Sequence, residues 1–322
     1  MGPAGPGGTA TYARELADAL SRRDDVDLIV VGTTEAQAEL RQPVADHVSV
    51  PGLRLAEQTA VAALGPVLSR RRVEIVHGTR QLVPLFASPP RVLTFHDDYA
   101  FTRRSDYDII KRLLLPPIFR RSLAVTNAVV TLSDDVAAVA RGYVSDTTPV
   151  VDAGAAVSSA LAGAAVGPPI VPEPYALVVG DAGPRKRVDW LLDHWKAVEA
   201  STGLSLVVAG GRAAGAELSA RLERSTAVFR RLPDDNELAT LYAHASMVID
   251  ASTTEGFGFP HVEAAHFGVP YVALRTHDDP VAAIGAALDG SPTLTDRTHS
   301  PTTWDEVADR TVALYRRVID AS

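Results

Sequence analysis

Residues 255–268 read EGFGFPHVEAAHFG, a glycine-bearing loop followed by a short helix. Pro260 suits the first helical turn, because its missing N–H would have no partner there in any case, and Gly268 suits the left-handed position after the last turn. Gly256 and Gly258 let a ligand approach the backbone closely, and the free N–H groups at a helix start favour an anion. The stretch therefore predicts a ligand-binding loop between a strand and a helix.

Two carboxylates belong to this stretch. Glu263 is predicted to lie one turn into the helix, where its carboxylate can accept hydrogen bonds from both hydroxyls of a vicinal diol such as a ribose. Glu255 stands at the mouth of the loop and can accept from a sugar hydroxyl. The alternative is that both glutamates only favour the positive end of the helix dipole. These residues alone do not decide between the two interpretations.

On both sides of this stretch, short apolar runs typical of strands buried in a parallel sheet alternate with helical stretches. Residues 154–174 interrupt the alternation with Ala, Gly, Pro and Ser, which indicates a linker. Two Rossmann-like α/β domains facing a cleft are therefore predicted, with ligands at the carboxyl ends of the strands. The predicted parts are an N-terminal domain at 1–155, a linker at 156–174, a C-terminal domain at 175–302 and a closing helix at 303–322.

Composition narrows the classes of function. The 322 residues include no cysteine, which excludes disulfides, thiolate nucleophiles and cysteine zinc sites. The formal net charge of −8 and the lack of a basic stripe argue against nucleic acid as a partner. With no membrane-spanning apolar run and no signal peptide, we expect a cytoplasmic protein. The basic clusters 70–72 and 120–121 either touch anionic lipid at the inner face of the membrane or form a solvated surface.

A second candidate site is the loop GDAGPRKR at residues 180–187. Arg185, Lys186 and Arg187 follow a predicted strand and precede a predicted helix. Three adjacent cations at such a junction can hold a pyrophosphate. The alternative is a solubilising basic turn.

Three places in the first half of the chain are candidates as well. His96 and Asp97 follow the predicted strand 91–95, and His77 follows the strand 73–76. A neutral imidazole at the carboxyl end of a strand can hydrogen-bond a sugar hydroxyl or an acceptor, the alternative being a structural histidine. Gly7 and Gly8 precede the helix predicted at 12–20.

Residues 255–270 closely resemble the signature of the retaining glycosyltransferases of family 4, which have the GT-B fold of two facing Rossmann-like domains. In that family two glutamates separated by seven residues lie in a Glu-Gly-Phe-Gly…Glu-Ala context that ends in Gly-x-Pro. The resemblance implies that Glu263 holds the ribose of the donor nucleotide. It also implies that residues near the donor sugar and its phosphates are Glu255, Gly256, Phe257, Gly258 and Phe259.

The resemblance extends to the other candidates. It implies that Lys186, together with Arg185, neutralises the leaving diphosphate, and that His96 belongs to the catalytic site. It places Asp97 and His77 on the acceptor side, and Gly7 and Gly8 near the donor phosphate. Two features depart from the family. Asp181 stands where an arginine is usual, and the chain starts almost at the glycine loop, so the N-terminal domain is expected to lack its usual first strand.

We therefore expect a retaining, hexosyltransferase-type glycosyltransferase that moves a sugar from a nucleoside-diphosphate sugar to an acceptor hydroxyl. The acceptor is a glycan, a lipid-linked group or a small molecule, and the resemblance implies neither a metal nor another cofactor. The alternatives are a catalytically weak nucleotide-sugar-binding protein of this fold, and a sugar epimerase or phosphorylase. The closing helix is expected to pack on the N-terminal domain.

Overall fold

A computed structural model describes residues 7–34, 38–49, 64, 68, 70–87, 89–107, 109–180, 184–210, 220–222, 224–275, 277, 279–289 and 303–322. The chain forms two compact units. Unit 1 comprises residues 1–156 and 299–322, and unit 2 comprises residues 157–298. Residues 157–174, predicted to be a linker, instead form part of unit 2, because Leu161 and Val171 are buried in its core. The candidate Asp181 lies outside the described residues.

Unit 1 is an α/β unit with two parallel sheets. Strands β1 and β2 pair with each other, and β3, β4, β5 and β6 form a four-stranded sheet in that order. In the described part of the unit, no strand pairing joins the two sheets. Its elements are α1 (Gly8–Ser21), β1 (Ile29–Gly32), β2 (Asp46–Ser49), β3 (Val76–Gly78), β4 (Arg91–Phe95), α2 (Tyr99–Thr102), α3 (Ile109–Ala124), β5 (Ala128–Thr131), α4 (Asp134–Arg141) and β6 (Val150–Asp152).

The C-terminal helix α10 (Trp304–Asp320) also belongs to unit 1. It buries Val307, Thr311, Leu314 and Val318, whose spacing of three or four residues places them along one face of a helix. The indole of Trp304 meets the ring of Tyr12 edge-on, with the ring centres 5.7 Å apart. The hydrophobic face of α10 thus packs on α1, which is why the end of the chain folds with its beginning.

Unit 2 is built on one five-stranded parallel sheet in the order β11, β10, β7, β8, β9. Leu191 and Trp195 cover one face of the sheet, and Tyr242 and Ala264 cover the other. Its elements are α5 (Ser159–Ala162), β7 (Tyr175–Val179), α6 (Val188–Thr202), β8 (Ser205–Gly210), β9 (Val228–Arg231), α7 (Asp235–Ala243), β10 (Met247–Asp250), α8 (Phe259–His266), β11 (Tyr271–Ala273) and α9 (Pro280–Leu288). Both units confirm the predicted α/β class.

The strand order of unit 2 decides where a ligand can bind. The chain proceeds from β7 to β8 and β9 on one side, and then crosses to β10 and β11 on the other side of β7. In a parallel sheet, the loops that leave two strands at such a switch point diverge to opposite faces and open a crevice between them. The loops after β7 and β10 are the two that carry the predicted donor-site residues.

Candidate functional site

The loops after β7 and β10 are in direct contact. After β7, Pro184–Lys186 form a single 3₁₀ turn before α6 begins. The backbone N–H of Thr253 donates to the carbonyl of Arg185 at 3.0 Å, which ties the loop after β10 to this turn. The structure therefore brings together the cationic and glutamate-bearing stretches that lie about 70 residues apart in sequence.

Glu255 is bound by both cations of the turn. Arg185 donates to the Glu255 carboxylate and, at 2.8 Å, to the carbonyl of Thr254. The ammonium of Lys186 lies 3.2 Å from Oε2 of Glu255. Both side chains of the Lys186–Glu255 pair are largely buried, so the charges are only weakly screened by water. An anion that enters here must compete with the carboxylate of Glu255 for Arg185 and Lys186.

Asp250, the last residue of β10, is a further carboxylate beside Lys186. Its Oδ1 accepts from the backbone N–H of Ser252 at 3.0 Å, and its Oδ2 accepts from the Tyr271 hydroxyl at 2.9 Å. Burial alone would raise the pKa of Asp250, but the charge of Lys186 and these hydrogen bonds outweigh burial and lower it. Asp250 thus stays ionised at neutral pH, with its Oδ1 3.9 Å from the Lys186 ammonium.

Asp250, Tyr271 and Arg275 were not among the predicted site residues. The guanidinium of Arg275 lies 3.5 Å from Asp250 Oδ2. The available signal was an acidic residue at the carboxyl end of an otherwise apolar strand, directly before the predicted site.

Glu263 lies one turn into α8, as the sequence predicts, and accepts a hydrogen bond from the Tyr242 hydroxyl at 2.5 Å through Oε2. Tyr242 comes from α7 and stacks on Phe267, with ring centres 5.4 Å apart. Burial raises the pKa of Glu263 to about 6, although the hydrogen bond from Tyr242 and the charge of Lys186 oppose the shift. The carboxylate is thus ionised at pH 7 and becomes protonated in mild acid.

The start of α8 has the geometry of a glycine-dependent turn. Gly258 precedes the helix with φ of 80°, a left-handed conformation that favours glycine. The N–H of His261 is used within the turn, since it donates to the Gly258 carbonyl at 2.9 Å. Phe257 is buried and meets Phe259 edge-on at 5.3 Å between ring centres. Phe257 therefore packs inside the loop, and its place near the donor sugar stays a prediction. Gly256 lies between Phe257 and Glu255 in the chain.

In unit 1, His96 is buried and its Nε2 lies 2.8 Å from the carbonyl of Thr79. Its ring meets that of Tyr12 edge-on, with centres 5.4 Å apart. Burial lowers the pKa of His96 to about 4. The imidazole is therefore neutral at pH 7, and because Nε2 must donate to the carbonyl, Nδ1 is the nitrogen that can accept a hydrogen bond.

The ring nitrogens of His77 are both engaged inside unit 1. Nδ1 lies 2.5 Å from the Tyr315 hydroxyl of α10, and Nε2 lies 2.7 Å from the Thr94 hydroxyl of β4. Burial lowers the pKa of His77 to about 3. An acceptor could be bound only by breaking one of these contacts, which favours the structural alternative for His77.

The remaining candidates of unit 1 lie at the starts of two helices. Asp97 Oδ1 accepts from the N–H of Tyr99 at 3.0 Å and so caps the turn into α2. Gly7 precedes α1 in an extended conformation, with φ of −149°, and a Cβ atom added there would have no neighbour within 4 Å. Neither packing nor backbone strain therefore requires glycine at position 7. Gly8 is the first residue of α1.

Across the part of the chain that the structure describes, no group of three or more His, Asp or Glu side chains is placed to hold a metal ion. The cations Arg185 and Lys186 are the groups of the candidate site that can neutralise an anion.

Family models match stretches of the chain in both units. Residues 173–315 match the family model described as "Glycosyl transferases group 1", and residues 6–151 match the one described as "Glycosyltransferase Family 4". No curated protein sequence matches the chain significantly.

Solved structures share the fold at low sequence identity. Sucrose-phosphate synthase from Thermosynechococcus elongatus has a TM-score of 0.70 and 19% identity, with 98% of this chain and 94% of that chain covered. Anabaena Alr3699/HepE, solved in complex with UDP-glucose, has a TM-score of 0.64 and 15% identity, with 100% and 97% covered. The UDP-GlcNAc 2-epimerase of Methanocaldococcus jannaschii has a TM-score of 0.55 and 10% identity, with 95% and 96% covered.

The fold and the two matched domains define the class: the chain is a glycosyltransferase with the GT-B fold. The stretch that matches the group 1 model contains the Arg185, Lys186, Glu255 and Glu263 cluster.

Proposed function

We propose that this protein is a retaining glycosyltransferase of family 4 that transfers a hexosyl group from a nucleoside-diphosphate sugar to an acceptor hydroxyl, without a metal or another cofactor. The observation that carries the proposal is the pairing, at the switch point of unit 2, of a diol-binding carboxylate with a two-cation cluster. Glu263 supplies the first, and Arg185 and Lys186 supply the second. A nucleoside diphosphate contains both of the complementary groups, a ribose diol and a diphosphate.

Donor binding would use α8 and the turn after β7 together. The Tyr242 hydroxyl holds Oε2 of Glu263, which fixes the carboxylate in one orientation. Among the described residues no donor contacts the other oxygen, Oε1, and a ribose hydroxyl can donate to it. The diphosphate would then lie toward Lys186 and Arg185, taking over the hydrogen bonds that Glu255 accepts without ligand.

Catalysis follows from the same contacts. As the bond between sugar and phosphate breaks, negative charge grows on the leaving diphosphate, and a fixed ammonium beside it stabilises the transition state more than the ground state. Asp250 fixes Lys186 for this role, because it is ionised, buried and on the inner side of the cluster. When the diphosphate displaces Glu255 from the cations, its carboxylate becomes available to a hydroxyl of the donor sugar.

The proposal assigns no protein nucleophile. The departing phosphate oxygen takes the proton of the acceptor hydroxyl on the same face of the sugar, which retains the anomeric configuration. In unit 1, the neutral imidazole of His96 offers Nδ1 to a sugar or acceptor hydroxyl, with Asp97 beside it on the acceptor side.

Two other activities on this fold need separate assays. A binding protein without turnover would share the donor contacts, and the UDP-GlcNAc 2-epimerase shares the fold, so the fold by itself does not distinguish a transferase from an epimerase. The protein should first be screened by calorimetry against UDP-, GDP- and dTDP-sugars. The tightest donor should then be incubated with acceptor candidates, and the products analysed by NMR for anomeric configuration.

Each outcome of the product analysis decides between the activities. A glycoside with the anomeric configuration of the donor supports the proposal, and an inverted configuration refutes the retaining mechanism. Binding with neither transfer nor slow donor hydrolysis would favour a binding protein. Release of an epimerised sugar, or sugar cleavage that depends on added phosphate, would favour an epimerase or a phosphorylase.

A further inference from the structure

The first two turns of α3 expose a continuous set of large apolar side chains. Ile109, Ile110, Leu113 and Leu114 are 74%, 57%, 62% and 38% exposed. Ile109 and Leu113 are four residues apart, as are Ile110 and Leu114, so the four side chains form two adjacent rows on the helix. Single exposed apolar residues are ordinary on a protein surface, whereas a contiguous group of them indicates an interaction surface.

Basic residues surround this apolar surface. Residues 103–121 carry six basic and two acidic side chains, a net charge of +4 in a chain whose formal net charge is −8. Arg112 and Arg121 are exposed, and the guanidinium of Arg120 lies over the Phe101 ring, 5.6 Å from its centre. The positive charge is therefore concentrated on the same segment that exposes the apolar side chains.

The local structure explains why these turns are helical without being buried. Pro116 lacks the N–H that would bond to the carbonyl of Arg112, and that carbonyl instead accepts from the Arg104 guanidinium at 3.2 Å. Beyond the prolines, α3 buries Ser122 and Leu123 in unit 1. The second half of α3 thus anchors the helix in unit 1. The Arg104 guanidinium holds the first half through the Arg112 carbonyl, while the apolar side chains of this half remain exposed.

We propose that the first half of α3 is a docking surface for an anionic lipid bilayer. Exposed isoleucine and leucine insert into the boundary between headgroups and acyl chains, and neighbouring arginines bind anionic headgroups. Six residues of helix span about 9 Å, which suits a segment that lies in the interface. No helix in the described ranges is long and apolar enough to cross a membrane.

A second copy of the chain is a less suitable occupant of this surface. In a twofold-symmetric dimer the patch would face itself, which would bring together two segments that each carry a net charge of +4. An anionic bilayer instead supplies an apolar layer and negative charge at the same place. The inference depends on α3 alone and is independent of the proposed transfer reaction.

Vesicle flotation with the full chain tests the proposal. Phosphatidylcholine vesicles with and without phosphatidylglycerol should be compared, at low and high salt. We expect the protein to float only with the anionic vesicles and to be released by salt, because screening weakens headgroup contacts. The variant Ile109→Ser/Ile110→Ser/Leu113→Ser should reduce binding about tenfold or more, and Arg112→Glu/Arg121→Glu should do the same.

Two matched variants serve as controls. Val166→Ser/Leu288→Ser removes exposed apolar side chains from unit 2, and Arg224→Glu/Arg317→Glu reverses two exposed arginines that are not part of α3. Both should float like the wild type, and thermal unfolding and donor binding check that every variant is folded. The proposal is overturned if the wild type does not bind anionic vesicles or binds neutral ones equally. It is also overturned if the charge-reversal variant in α3 and its control lose binding equally, or if the serine variant only dissociates an oligomer.

Discussion

Lowering the pH from 7 to 5 should weaken binding of the donor, because it protonates Glu263. Burial raises the pKa of this carboxyl to about 6. An ionised carboxylate can accept a hydrogen bond from each hydroxyl of the ribose, whereas the protonated form must donate through one of its oxygens. Donor affinity should therefore follow the ionised fraction of Glu263.

The size of the effect follows from that pKa. If only the ionised form binds, the apparent Kd exceeds the intrinsic one by a factor of about 1.1 at pH 7 and about 11 at pH 5. The expected loss is about tenfold, or about 1.4 kcal/mol. Lowering the pH has the opposite effect on folding stability. Because the pKa of Glu263 is raised in the folded state, its protonation favours folding, and this stability is lost as the pH rises through about 6.

Calorimetry between pH 5 and 8 measures the effect, with an intact nucleotide sugar as ligand. A free nucleoside diphosphate is unsuitable, because a terminal phosphate itself titrates near pH 6. Glu263→Gln should bind more weakly at pH 8, by about 1–3 kcal/mol, and should lose the step in affinity. Thermal unfolding at pH 5 checks that the protein remains folded.

Two further variants test how the Tyr242 hydrogen bond affects the pKa of Glu263. The hydrogen bond from Tyr242 lowers the pKa of Glu263, so Tyr242→Phe should move the midpoint of the affinity curve above pH 6. Tyr175→Phe is the matched control, since the Tyr175 hydroxyl is buried in the same unit but donates to the Leu241 carbonyl at 2.7 Å. The ribose assignment is refuted if affinity is the same at pH 5 and 7, or if Glu263→Gln keeps the wild-type pH profile.

Three further predictions concern the remaining contacts. Lys186→Ala should lower kcat about 100-fold in protein that is still folded, and should also lower Tm because Asp250 and Glu255 lose a buried partner. Lys196→Ala, at an exposed position of α6, should leave both unchanged, and equal effects on kcat in the two variants would contradict the role of Lys186. Glu255→Gln should tighten the binding of inorganic pyrophosphate severalfold in calorimetry, because it removes the carboxylate that now binds Arg185 and Lys186. Weaker binding would show instead that Glu255 positions these two cations. Tyr315→Phe should lower the free energy of unfolding by about 1 kcal/mol in urea titrations without altering donor affinity, since it removes the contact with His77; unchanged stability would contradict the structural role of that pair.

Local patterns predicted most of the sheet strands. The run at 91–95 agrees with β4 because consecutive apolar and β-branched residues are typical of strands buried on both faces. The run at 73–76 was placed too early, since β3 spans Val76–Gly78. Its register with β4 begins at Val76 opposite Arg91, and the pairing of two distant strands leaves no local mark in sequence.

The positions of the candidate site residues at the ends of elements were also predictable. Glu255, Glu263 and Lys186 each follow a recognisable strand or helix start, whereas the roles that the family resemblance implies for them stay predictions. Their supports were not predictable. Tyr242 meets Glu263 across 21 residues, and Tyr271 meets Asp250 across 21 residues, through helices and strands that only the folded sheet brings together.

By itself, then, the sequence determined the α/β class and which loops carry carboxylates, cations and glycines, because hydrophobic period and turn chemistry are local properties. Only the tertiary structure decided which of these groups meet and in what state of charge. It placed Lys186 between Glu255 and Asp250, raised the pKa of Glu263 by burial, and engaged both ring nitrogens of His77. Burial and contact between distant residues set these properties, and both exist only once the chain is folded.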